Sequence, residues 1–82
     1  MKKVLFVSQS ALAPEQLVQL VSVFPADQYD CSLKSVQEVR NADYNEYDLL
    51  IGMEQAYIRD LYYICGGDFV GKIFLLSEYV NS

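Results

Sequence analysis

The chain reads as a small α/β domain, a doubly wound parallel sheet of four strands in the order 2-1-3-4 with flanking helices. Three observations carry that expectation. The 82 residues are 52% hydrophobic and 21% charged, the balance of a folded domain and not of a disordered tail. Short continuous apolar runs, as in strands buried on both faces, alternate with segments of helical period. The resulting order of strand, helix, strand, crossover, strand, helix, strand closes into a parallel sheet under the right-handed crossover rule. One domain spans residues 1–82, near the lower size limit for a chain that folds alone, so a thin core is expected.

Val4-Leu5-Phe6-Val7, set between Lys3 and Ser8-Gln9-Ser10, forms the first strand. Pro14 suits a first helical position and Glu15 the first turn, where the helix dipole favours negative charge. Leu17, Val18, Leu20, Val21 and Phe24 then make one apolar stripe, which Pro25 ends. Tyr29 to Leu33 alternates weakly and supplies the second strand. The polar segment Lys34 to Tyr47 is long enough for a crossover between parallel strands, with room for a helical turn. Asp48 to Met53 is the clearest strand. After it, Tyr57, Ile58, Leu61, Tyr62 and Cys65 fall on one face of a helix over Glu54 to Cys65, with Gly66 as terminator. Lys72 to Leu76 is the last strand. In such a sheet ligands bind at the carboxyl ends of the strands, here the loops after Val7 and Met53.

Eleven acidic against six basic residues leave a net charge of -5, and only Lys2 and Lys3 cluster. A nucleic-acid partner and an anionic membrane surface are both disfavoured, because each needs a basic face. No apolar run spans a bilayer, and the start MKKVLFV has neither the length nor the cleavage site of a signal peptide, so a cytoplasmic location is expected. The absence of histidine excludes Ser-His-Asp and Cys-His pairs and most zinc or non-haem iron sites. Cys31 and Cys65 stand in no metal-like or redox-like spacing and are expected to be reduced core residues. Neither a metal nor a cofactor is expected.

Tyr47-Asp48, Gly52-Met53-Glu54, Arg59-Asp60-Leu61, Gly66-Gly67-Asp68 and Lys72-Ile73-Phe74-Leu75-Leu76 follow one another in an order and spacing that resembles the low-molecular-weight protein tyrosine phosphatases, above all the forms common in Firmicutes. Lys3 to Val7 also resembles the first strand of that family. The resemblance covers about half the chain, and its force lies in the joint order of the pieces. It implies the phosphotyrosine phosphatase I-like fold. In the family the first strand leads into Cys-x5-Arg-Ser-Pro, whose thiolate attacks phosphorus while the Arg clamps the phosphate. Here Ser8 stands at the Cys position and Pro14 at the Arg position. Aligning Pro14 with the family's Pro instead leaves the loop two residues short and still without Arg. A serine hydroxyl needs an adjacent base, and no histidine is present to supply one. The family's Asp-Pro general acid follows its fourth strand, whereas this sequence runs Glu78-Tyr79-Val80-Asn81-Ser82 without Asp-Pro and without a further helix. Glu78 reads as solvated surface.

These residues point to a degenerate, shortened phosphatase-like domain without catalytic residues, acting as a binding or regulatory module or persisting as a relic. Two alternatives stay open. One is a residual phosphatase or phosphate-binding enzyme acting at the loop Ser8 to Pro14, with Ser8, Gln9, Ser10 and Ala11 holding phosphate or sulfate before the helix N-terminus. The plainer role for Ser8 and Ser10 is to cap that helix or satisfy loop backbone. The other alternative is a carrier domain similar to the B subunits of sugar phosphotransferase systems, which the Cys-to-Ser change also impairs. Arg59 and Asp60 are expected on the solvent face of their helix. Seven tyrosines are more than a thin sheet can bury. Tyr57, Tyr62 and Tyr63 are therefore candidates for a protein-partner or homodimer interface.

Overall fold

The computed structural model describes residues 1–9 and 14–80, with the side chains of 14–17, 19 and 80 outside the description. The elements run β1 (Lys2–Ser8), α1 (Pro14–Val23), β2 (Tyr29–Ser35), α2 (Asn41–Glu46), β3 (Leu49–Gly52), α3 (Gln55–Cys65), β4 (Ile73–Leu75) and α4 (Leu76–Val80). All four strands are parallel and stand in the expected order β2-β1-β3-β4.

Alternation along β1 builds the core. Leu5 and Val7 point to one face of the sheet, where they pack with Leu50 and Ile73 beneath Tyr44 and Tyr47 of the α2 region and Leu61 and Cys65 of α3. Val4 and Phe6 point to the other, packing with Ile51, Leu20 and Leu76. The apolar run of β1 is continuous because each face is covered by helices. On the second face Phe24 is the hub: its ring stacks on Tyr79 at 5.2 Å and meets Phe6 and Tyr29 edge-on at 5.5 and 5.2 Å.

Several expectations change. The second strand runs two residues further, to Ser35, held by its register with Ser8. The crossover contains a true helix, α2, with the Asp43 carboxylate accepting from the Arg40 N–H at 2.8 Å. The last strand stops at Leu75, and Leu76 opens α4 (Leu76–Val80), where no further helix was expected. Burial of Leu76 and stacking of Tyr79 on Phe24 drive that helix onto the α1 face.

The five-residue stripe on α1 is also too broad. Leu20 and Phe24, one helical turn apart, are buried, while Val18 and Val21 are 70% and 67% exposed. At about 100° per residue Val21 is rotated by about 100° and Val18 by about 160° from Leu20, away from the sheet, and among the described residues no strand lies beyond β2. Cys31, expected in the core, is instead exposed on the edge strand β2, while Cys65 is buried as expected. Tyr62, placed by sequence on the buried face of α3, is 46% exposed, because Leu61 and Cys65 fill the contact with the sheet.

Candidate functional site

The sheet reverses direction of winding between β1 and β3, since α1 covers one face and α3 the other. Such a switch point opens a crevice at the strand carboxyl ends. Ser8 is the last residue of β1 and stands there, only 8% exposed, in register with Ser35 of β2. The Met53 N–H donates to the Val7 carbonyl at 3.1 Å, which ties the first residue beyond β3 to the end of β1. Gly52 precedes it, and a Cβ at that position would lie 2.5 Å from Cδ1 of Ile58. The absence of a side chain lets α3 close over the end of β3.

Of the four candidate anion-binding residues, the structure places Ser8 at the strand end and Gln9 on the surface beside it. Ser10 and Ala11 lie outside the described residues, as does the rest of the loop up to Pro14. The two arginines of the chain are elsewhere. Arg40 precedes α2 and donates from Nη1 to the carbonyls of Gln37 and Val39 at 2.8 and 3.1 Å. Arg59 is exposed on α3, as is Asp60.

Arg59 has company that the sequence did not indicate. It lines a groove of about 380 Å³ between α3, β4 and α4, together with Gln55, Tyr62 and Glu78. Glu78 enters this groove because α4 turns the chain back, and no local sequence signal announces that turn.

The three tyrosines proposed for an interface divide. Tyr62 and Tyr63 reach the surface, Tyr63 at 90% exposure, while Tyr57 is half-buried and packs against both core clusters. Gly66 ends α3 in the left-handed region at φ 74°, where glycine carries no steric cost, and the Gly67 N–H closes the turn on the Tyr62 carbonyl at 2.8 Å. The loop beyond exposes Phe69 and Val70.

That loop hangs on one carboxylate. Asp68 Oδ1 accepts from the Tyr44 hydroxyl at 2.8 Å, the Lys72 N–H at 2.9 Å and the Gly71 N–H at 3.1 Å, and Oδ2 accepts from the Ile73 N–H at 3.2 Å. Burial alone would raise the Asp68 carboxyl, but these donors hold it below its ordinary value. The Tyr44 oxygen in turn accepts from the Val70 N–H at 2.8 Å. Burial pushes both thiols up, helped by Asp30 at Cys31 and by Asp43 and Asp68 at Cys65, so neither is a ready thiolate near neutral pH. Among the described residues no three His, Cys, Asp or Glu side chains group as a metal site, and no helix is long and apolar enough to cross a membrane.

No protein-family model and no curated protein matches the chain. Among solved structures it is similar to the crystal structure of SP-PTP, a low molecular weight protein tyrosine phosphatase from Streptococcus pyogenes. The TM-score is 0.69 at 18% sequence identity, over 92% of this chain and 71% of that one. The sheet order, the placement of helices on its two faces and this superposition together give the chain the fold of the low molecular weight protein tyrosine phosphatases.

Proposed function

We propose that this chain is a non-hydrolytic member of that fold class, a protein-binding module and not an enzyme. The observation that carries the reading is Ser8. It ends β1 at the switch point, where a nucleophile of this fold would stand, and the loop that follows contains neither a cysteine nor an arginine. The chain has no histidine to serve Ser8 as an imidazole base, and both guanidinium groups belong to other elements, so an incoming phosphate would find no bidentate clamp in that loop. The contact face we assign to the module is the outer side of α3 and the loop after it, where Tyr62, Tyr63 and Phe69 present aromatic surface to a protein partner.

Hydrolysis of p-nitrophenyl phosphate by the parent and by Ser8→Ala tests the proposal. The expected result is the same background rate for both. Turnover by the parent well above the Ser8→Ala variant would establish an active hydroxyl and overturn the reading. Titration with phosphate, sulfate and vanadate, followed by the amide resonances of residues 8–13, separates the alternative of a phosphate-binding loop: saturable shifts there favour it, and their absence supports the binding module.

A further inference from the structure

β2 is an edge of the sheet: β1 pairs it on one side, and no strand of the described residues pairs it on the other. The outward N–H and C=O groups of a seven-residue strand are therefore open to another chain. Beside them lies apolar surface. Cys31 and Leu33 are exposed on the face that α1 covers, and with Val21 they line a groove of about 250 Å³ floored by Leu20 and Phe24.

We propose that β2 pairs antiparallel with β2 of a second copy about a two-fold axis through Ser32, joining the two sheets into one of eight strands. The register follows from the strand itself. Outward-facing backbone groups alternate along a strand, so residues that pair with their own copies must have numbers summing to an even value. Among those registers, the one centred on Ser32 uses all seven residues, with Tyr29 opposite Ser35. It also sets Asp30 opposite Lys34 of the second copy, and symmetry repeats that pair. Centring on Cys31 or Leu33 shortens the ladder to five residues and places Asp30 or Lys34 opposite Ser32. On the other face Cys31 meets Leu33, and α1 of each copy lies on that same side with Val18 and Val21 exposed. Lys34 already donates to Asp43 at 3.0 Å, but an ammonium carries three donors, so the second copy's Asp30 adds a partner without displacing one.

Sedimentation equilibrium of the full chain tests this, with circular dichroism to confirm that each variant is folded. The parent is expected to dimerise reversibly. Asp30→Lys, at an exposed position, turns two attractive cross-strand pairs repulsive and should weaken association by about tenfold or more. Leu33→Glu should weaken it as well, and Tyr63→Glu should leave it unchanged. Oxidation of a Cys31→Ser, Ser32→Cys variant should lock the dimer covalently, because residues on the axis stand about 4.5–5.5 Å apart between Cα atoms, within disulfide reach. A parent that stays monomeric at all concentrations overturns the proposal. So does a dimer that ignores Asp30→Lys and Leu33→Glu and is lost in Tyr63→Glu. A disulfide through Cys31 in the oxidised parent overturns the register.

Discussion

Replacing Asp68 with alanine tests how the loop between α3 and β4 is held. The carboxylate accepts four hydrogen bonds, from Tyr44, Gly71, Lys72 and Ile73, and so joins α2, the loop and the start of β4. At a net ~0.5–1.5 kcal/mol each, four bonds sum to about 2–6 kcal/mol. The side chain is only partly buried and the Gly71 N–H is exposed, so water replaces part of what is lost. The lower end applies, about 2 kcal/mol, which in a domain of this size lowers the thermal midpoint by about 10 °C. Asp68→Asn keeps an oxygen where Oδ1 accepts three of the bonds but turns an amide toward the Ile73 N–H, so its midpoint should fall between the two.

The acid limb adds an independent readout. The folded carboxyl titrates below its ordinary value of 3.8, so between the folded and unfolded values the unfolded chain binds more protons. The Asp68 contribution is therefore complete above 3.8 and is lost as pH falls below it toward the folded value. The parent should lose stability in that window more steeply than Asp68→Asn. Thermal melts followed by circular dichroism from pH 2 to 7, at about unit steps, measure both effects. An Asp68→Ala midpoint equal to that of the parent, with parallel acid limbs, would refute the anchoring role.

Other expectations follow from single contacts. Gly52→Ala sets a methyl against Cδ1 of Ile58, the far end of a half-buried side chain that can turn away, so it should cost about 1 kcal/mol in urea unfolding, and Gly52→Ala combined with Ile58→Val should recover part of it. Tyr44→Phe removes the hydroxyl that Asp68 and the Val70 N–H both use and should lower the thermal midpoint, while Tyr63→Ser, on an exposed ring, should leave it unchanged. Thiol labelling should proceed in two phases, Cys31 first and Cys65 only as fast as the domain opens, because one is exposed and the other buried.

What the sequence made legible was what local pattern encodes. Val4 to Val7 and Asp48 to Met53 read as strands because their apolar runs are unbroken, and the structure keeps Leu49–Gly52 of the second. The crossover rule then left little choice of order. What stayed hidden depends on distant partners. Buried Tyr44 finds a partner for its hydroxyl in Asp68, 24 residues away, and Glu78 joins Arg59 in a groove beside α4, whose Tyr79 stacks on Phe24. Val18 and Val21 lie about 160° and about 100° round the helix from Leu20, which puts them off the line of Leu20 and Phe24 that the sheet buries. At the candidate site the position of Ser8 was legible from the end of the first apolar run, while no pattern in sequence assigns the orientation of the loop that follows it.

The residues behind the sequence resemblance serve the scaffold. Asp48 accepts the Lys3 N–H at 2.7 Å and so fixes β1 beside the start of β3. Gly52 admits Ile58 of α3. Gly66 turns the chain out of that helix and Asp68 receives it. Lys72 donates to the Tyr47 carbonyl at 2.9 Å and lies over the Tyr44 ring at 4.5 Å, holding the loop before β3 to the start of β4. Any sequence adopting this sheet with these connections faces the same backbone demands, whether or not it handles phosphate. Agreement across Tyr47 to Tyr79 therefore carries information about how the chain folds and none about catalysis. The resemblance implies a nucleophile and a phosphate clamp in the few residues after β1, and there the chain presents a serine, no arginine and no glycine between Ser8 and Pro14. The two halves of the sequence thus answer different questions, and an assay of Ser8 bears on the second without disturbing the first.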